Sequence, residues 1–311
     1  MKMRKFLLAA LVVCSNAMAS TKTLELVVPY SPGGTADKFA QVILPALRTE
    51  LAKENILPVV VYRPGAGSLT GIASVAKSDQ LQLLITSNSV INAPILNKLP
   101  NSYNLAEDLE VVSYLGHLPM IIATNPASGI RSFEDLRSQC KSKSVSYASG
   151  GTGTAGHLGS AIIFEKLGCN AVHVPYKGGA PMVTALLGNH VQLATDFVSG
   201  IKPLVDEGKL IPLLVLDRNR VDSFPAAPSL ADVGIADYTF DFWFVIMSNR
   251  VGGAQQALVA KAVANAVNSQ EVVLQLRTLG LKDIGSKKPK DFLVEKQKQL
   301  VRILKSVKLD D

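Results

Sequence analysis

The segment Ser146–Gly159, SYASGGTGTAGHLG, places Gly151, Gly153 and Gly156 in the spacing G-x-G-x-x-G. That spacing is the fingerprint of a dinucleotide-binding turn, where glycines let the backbone close on a pyrophosphate at a helix N-terminus. A second glycine turn, PYSPGGTAD (Pro29–Asp37), follows the first apolar run of the exported part of the chain. Each turn leads into a helical pattern. Each therefore offers an anion unpaired backbone N–H groups and the positive end of a helix dipole. A dinucleotide also needs an acidic residue about twenty positions on, to hold the ribose hydroxyls. That place reads VPYKGG, with Tyr176 and Lys177 and no acid. Neither turn continues into Gly-Lys-Ser/Thr, so there is no P-loop either. Two readings stay open: a pair of cradles for an anion smaller than a nucleotide, or two plain strand-to-helix turns.

Other residues with chemical potential carry similar alternatives. Asp37 falls in a first helical turn, where the dipole stabilises a carboxylate whether or not a ligand is near. Asp196 ends an apolar strand, either at a cleft mouth or as an exposed strand-end acid. His157 can donate to a ligand or serve in a local cap. Ser87 and Asn88 follow the strand QLLIT and offer neutral donors, or form a turn. No serine sits in G-x-S-x-G, no acid pair stands in a recognisable frame, and no cysteine lies in a redox motif. His117, His157, His173 and His190 are scattered without metal-ligand spacing. The pattern favours binding over catalysis, with no cofactor and no metal.

The elements that must position these residues alternate between short Val- and Ile-rich runs and helical stretches. This is an α/β pattern with mostly parallel strands, and the length suits two lobes better than one core. Strands are expected at Leu24–Tyr30, Pro58–Arg63, Gln82–Thr86, Ser144–Ser149, Ala171–Tyr176, Val191–Asp196 and Ile211–Asp217. Helices are expected at Thr35–Glu54, kinked or broken by Pro45, at Ser132–Lys141, at Thr154–Leu167 and near Pro181–Leu187. Two more close the chain, Gln255–Leu279 and Pro289–Val307. In open α/β sheets ligands sit beyond the carboxyl ends of strands, so one cradle per lobe would face the other across a cleft.

The first residues read as an export signal. MKMRK is cationic, FLLAALVVC (Phe6–Cys14) is too short to span a bilayer as a helix, and Ala17-x-Ala19 marks a cleavage site after Ala19. Cys14 raises the alternative of a lipoprotein, but Leu11, Val12 and Val13 fit a lipobox poorly. Loss of Lys2, Arg4 and Lys5 takes the 32 basic residues to 29, against 25 acidic, a mild and evenly spread +4. No basic stripe interleaved with aromatics is present, so nucleic acid is not an expected partner. The Lys287–Lys290 run and the Lys-rich end read as solvated helix surface.

Cys140 ends the helix that feeds strand SVSYAS, and Cys169 ends the helix that feeds AVHVPY. In a parallel sheet both strands start at the same edge, away from the ligand, so neighbouring strands would bring the two within disulfide reach. The alternative is two separate buried thiols.

Five runs carry a resemblance: VVPYSPGGTADKFAQVI, VVVYRPGAGS, YASGGTGTAGHL, VHVPYKGGAPMVTALLGNHVQLATD and PAAPSLADVG. In this order they resemble the Bug family, periplasmic solute-binding receptors of tripartite tricarboxylate transporters, from about Leu24 to the C-terminus. The chain departs from the family at Tyr30-Ser31 and at SDQLQLL, where the family carries Asp-Gly-Tyr-Thr. The resemblance implies a two-lobed Venus-flytrap of the type II periplasmic binding protein fold. Lobe 1 would comprise residues 20–121 and 245–311, and lobe 2 residues 122–244, with crossings near Met120–Ala123 and Trp243–Met247. It implies a small carboxylate ligand held by backbone N–H groups. One wall would be Tyr30, Ser31, Gly34, Thr35 and Asp37 with Ser87 and Asn88. The other would be Ser149, Gly150, Gly151, Thr152, Gly153, Thr154 and His157, with Tyr176 and Asp196 nearby. The implied partners are membrane permease subunits of such a transporter, met by a monomeric receptor in the periplasm. A receptor of the same fold serving a sensor kinase, or a secreted enzyme using Asp196 or His157 as base, are the competing readings.

Overall fold

The computed structural model describes residues 21–99, 102–235, 242–285 and 289–306. The export signal, the first two residues of the Lys287–Lys290 run and residues 307–311 lie outside them. In chain order the first half is β1 (Lys22–Val28), α1 (Thr35–Leu51), β2 (Ile56–Tyr62), α2 (Leu69–Ala76), β3 (Leu83–Ser87), α3 (Ser89–Leu96), α4 (Leu105–Asp108) and β4 (Leu109–His117). Next come β5 (Met120–Thr124), α5 (Phe133–Ser142), β6 (Val145–Ser149), α6 (Ala155–Lys166), β7 (Ala171–Pro175), α7 (Gly179–Leu187), β8 (Leu193–Phe197), α8 (Val198–Asp206) and β9 (Ile211–Val215). The chain then runs through β10 (Trp243–Asn249), α9 (Gly253–Asn268), α10 (Gln270–Thr278) and α11 (Pro289–Ser306).

The strands form two five-stranded sheets with the same plan, β2-β1-β3-β10-β4 and β7-β6-β8-β5-β9. Four of the five strands in each sheet run the same way, as the mostly parallel pattern predicts, and one in each is reversed. Strands β1, β2 and β3 are parallel, as are β6, β7 and β8, but β10 and β5 run antiparallel to both their neighbours. The cause lies in where the chain changes sheets. Met120, at the start of β5, pairs with Phe197, at the end of β8. Trp243 and Phe244, at the start of β10, pair with His117 and Ser87, at the ends of β4 and β3. Each crossing strand thus enters at the carboxyl edge of its new sheet and runs back, which needs no crossover helix. The two crossings touch through Leu118 N–H donating to the Phe242 carbonyl at 2.9 Å.

Helix α1 buries Phe39, Ile43, Leu47 and Leu51, an i, i+4 stripe that packs on the first sheet and α9. Pro45 neither ends nor splits this helix, because the packed stripe outweighs the missing N–H. The expected helix over 255–279 is two helices. Ser269 is extended there, ends α9 and caps α10 by accepting from the Val272 N–H at 3.4 Å. The core of the first sheet includes Leu26, Ile85 and Ile246, and that of the second includes Ile122, Ile162 and Leu193. Cys140 and Cys169 form a disulfide with a Cα–Cα distance of 4.4 Å. It ties the end of α5 to the entry of β7, whose first residue pairs with Val145 of β6. Among the described residues no helix is long and apolar enough to cross a membrane.

Candidate ligand-binding cleft

The carboxyl ends of β1, β3, β6 and β8 open on one cleft between the sheets. The first glycine turn carries the chain from β1 into α1. Gly33 has φ +85°, a left-handed conformation that glycine adopts at little cost. Gly34 caps α1 without any side-chain bond to its first turn, so backbone donors at Thr35 and Ala36 border the cleft. Asp37 sits behind the turn. Its carboxylate accepts from the Gly33 N–H at 2.7 Å and from the Tyr62 hydroxyl at 2.7 Å. Tyr30 does line the cleft, its hydroxyl bonded to Ser89 and, at 3.2 Å, to Ser87. Asn88 supports the frame, its side-chain carbonyl accepting from the Trp243 N–H at 3.0 Å.

The second turn joins β6 to α6 and is braced by side chains. The Gly151 N–H donates to Ser149 Oγ at 3.2 Å, and Thr154 Oγ1 donates to the Gly151 carbonyl at 2.7 Å. The Gly153 N–H donates to His157 Nδ1 at 3.2 Å. His157 stacks on His173 with ring centroids 4.0 Å apart, and His173 Nε2 lies 2.7 Å from Ser149 Oγ. Burial pulls His157 down to about 4. Burial and then the neighbouring His157 pull His173 down to about 3. Both rings are therefore neutral near pH 7, and His157 shapes the loop instead of lining the cleft.

Several of the residues expected at the ligand also form the seam between the sheets. Ser31 N–H donates to the Lys177 carbonyl at 2.8 Å. The Thr152 carbonyl accepts from Asn97 Nδ2 at 3.0 Å. Thr35 Oγ1 meets Ser199 Oγ at 3.1 Å, and Lys38 Nζ donates to the Ser199 carbonyl at 2.9 Å. The second turn lies backbone to backbone against the first half of the chain. A Cβ on Gly151 would come within 2.9 Å of Gly67 Cα, and one on Gly153 within 2.5 Å of Ala93 Cα. Glycine is required there because the opposite wall occupies the space. Tyr176 contributes backbone, its N–H donating to the Ser149 carbonyl at 3.0 Å.

Of the residues singled out in the sequence, Tyr30, Gly34, Thr35, Ser87, Gly150, Thr154 and Asp196 line the cleft. Gly156 of the G-x-G-x-x-G turn lines it too, and sequence reasoning missed Gly178 and Gly179, which open helix α7 there, and Thr195 and Ala155 on the second wall. The glycine pair in VPYKGGAP was a usable signal for α7. It also missed the apolar floor, Met120, Phe197 and Phe244, for which no local signal exists: two of these belong to the crossing strands. Asp196 is the charged side chain of the lining. It is 6% exposed, accepts from the Phe197 N–H through Oδ1 at 2.8 Å, and is raised to about 6 by burial, against the pull of that N–H and of Lys38. Among the described residues no cluster of His, Cys, Asp or Glu could hold a metal ion.

Four helices of eight residues or more, α1, α6, α7 and α8, begin at this cleft between two sheets of identical plan. That architecture is shared with the periplasmic binding protein BugD (23% identity, TM-score 0.82, 92% of this chain and 96% of that one), a protein of R. palustris solved with adipate (24%, TM-score 0.81, 92% and 97%) and MatC of Rhodopseudomonas palustris with bound malate (20%, TM-score 0.81, 92% and 99%). The model of the tripartite tricarboxylate transporter family receptor matches residues 41–306, and the chain belongs to that family. Protein BugT of Bordetella pertussis is 31% identical over 265 residues, which cover 80% of each chain.

Proposed function

We propose that this chain is a periplasmic receptor that captures a small organic carboxylate in its interlobe cleft and delivers it to the membrane subunits of a tripartite tricarboxylate transporter. The observation that carries the reading is the convergence of α1 and α6, one from each sheet, on one cleft lined by Gly34, Thr35, Ala36, Thr154, Ala155 and Gly156. A carboxylate between these helix starts would take charge-assisted bonds from both walls, and contacts available only when the walls meet favour the closed form. Family membership supports the transporter partner. Adipate and malate in the two R. palustris proteins support the ligand class.

In this reading residues 20–121 and 245–311 form lobe 1 and 122–244 form lobe 2, and the receptor works as a monomer after cleavage behind Ala19. Tyr30, Ser87, Gly150 and Thr154 meet the ligand. Ser31, Thr152 and Gly153 close the seam, and Asp37, Asn88, Ser149, Gly151, His157 and Tyr176 hold the walls in shape. The receptor binds its ligand without transforming it. A thermal-shift panel of mono-, di- and tricarboxylates on ligand-free protein tests the proposal. A true ligand at about a hundred times its Kd adds about 2.7 kcal/mol by mass action and raises the melting point. A panel with no shift at all sinks the carboxylate reading, and recovery of a chemically altered ligand after long incubation sinks the receptor reading.

A further inference from the structure

Asp196 is a buried carboxylate with one oxygen left over. Its Oδ1 accepts from the Phe197 N–H. No donor among the described residues bonds Oδ2, although the side chain is 6% exposed and lines the cleft. Lys38 on α1 attracts this carboxylate, but its ammonium donates to the Ser199 carbonyl. The local backbone makes room for the group. A Cβ on Gly179 would come within 2.9 Å of Oδ2, and one on Gly200 closer still.

Oδ2 opens on the cleft, and a ligand that fills the cleft and displaces water leaves this charged acceptor costly unless the ligand itself supplies a donor. The rest of the lining does not relieve it. Tyr30 and Ser87 bond each other, and Met120, Phe197 and Phe244 are apolar. A ligand atom that donates a hydrogen bond would satisfy Oδ2. A bare second carboxylate there would instead face a like charge, or require a proton on one of the two groups.

We infer that Asp196 selects the ligand: the bound acid carries, besides the carboxylate at the helix N-termini, a hydrogen-bond donor, ammonium or hydroxyl, given to Asp196 Oδ2. The inference rests on the carboxylate-receptor reading and narrows it to amino and hydroxy acids over their unsubstituted parents. Gly34 lies beside the Gly179 backbone nitrogen, which a Cβ added to Gly34 would approach to 3.6 Å. The start of α1, the start of α7 and Asp196 are thus close enough for one small molecule to span them.

The test is calorimetric titration of ligand-free, full-length mature protein with matched series on one skeleton. Succinate, malate and aspartate form one, and glutarate, 2-hydroxyglutarate and glutamate another. Butyrate, 3-hydroxybutyrate and 4-aminobutyrate supply a monocarboxylate set. In any series that binds, a donor-bearing member is expected to exceed the unsubstituted acid by about tenfold or more, and the amino and hydroxy arms identify the donor. D196N, which keeps the acceptor for Phe197 and loses the charge, is expected to erase that preference, so that the donor-bearing and unsubstituted members of a series bind alike. Equal affinity across every binding series in the unaltered protein overturns the inference and leaves the receptor reading standing, as does a preference unchanged in D196N. Absence of binding by every compound, in protein whose closure on an unfractionated carboxylate panel is also absent, overturns the receptor reading and the inference with it. The unaltered protein decides alone should D196N fail to fold.

Discussion

The two glycine turns occupy equivalent places, each joining a central strand of one sheet to the helix that starts at the cleft, yet glycine serves a different need in each. In the first, Gly33 is required by its own dihedral angle: φ is +85°, while a Cβ there would meet Ala180 Cβ at an ordinary 3.4 Å. In the second, Gly151 and Gly153 also have positive φ, but a Cβ would strike the backbone of Gly67 and Ala93 across the seam. The supports differ as well. A carboxylate, Asp37, holds the first turn from behind, whereas a neutral imidazole, a threonine and a serine hold the second. Both turns touch the other sheet's segments, but glycine in the first answers to its own dihedral angle and in the second also to the backbone packed against it.

That contrast is most sharply tested by paired substitutions. G151V is expected to weaken ligand binding by at least about a hundredfold, equivalent to about 2.7 kcal/mol, because the walls cannot meet. G33A should cost about 1–2 kcal/mol of stability from the left-handed backbone with much of the affinity retained. Calorimetric titration and denaturant melts on both variants check this. Affinity in G151V equal to the parent would erase the distinction drawn between the turns.

The second turn also lies inside the loop closed by the disulfide, which spans 29 positions of sequence. Nothing comparable encloses the first turn among the described residues. Removing the bridge in C140S/C169S is expected to cost about 3–4 kcal/mol through the freedom returned to the unfolded chain. Urea midpoints of the double variant and of reduced parent protein should agree, and a variant as stable as the oxidised parent would rule the bridge out as a support.

The smallest effect concerns pH. Burial holds His157 at about 4 and His173 at about 3, below their ordinary 6.5. The unfolded chain therefore takes up protons first, and stability is expected to decline as pH falls from 6.5 toward 4. Asp196, raised to about 6 from 3.8, takes up its proton in the folded state first and opposes the decline within that window. Two rings outweigh one carboxyl. H157N, which keeps an acceptor for the Gly153 N–H, should show a shallower decline in melting temperature between pH 6.5 and 4. A flat profile in the parent would contradict the buried, neutral pair.

Local chemistry was legible wherever a feature depends on neighbours in sequence. The two glycine turns, the strands that feed them, the Thr154 cap and the two-lobed family could be read from short motifs, because turn geometry and helix starts are set by residues a few positions apart. Asp196 was legible as a strand-end acid, but not as a carboxylate with one unmet oxygen, since that depends on glycines at 179 and 200 and on Lys38 from the other sheet. The antiparallel course of β5 and β10 was not legible either, because a strand's direction in a sheet follows from where the chain enters it. Tertiary structure alone divided the marked residues among wall, seam and brace. Asp37 and His157 carry the right chemistry for a ligand, but turn toward Gly33 and Gly153. Met120 and Phe244 carry none in isolation, yet form the floor. The sequence determined which groups this protein has and which turns display them. Only packing of one sheet against the other decided which of those groups face the cleft, because a side chain's neighbours across a cleft come from segments distant in sequence.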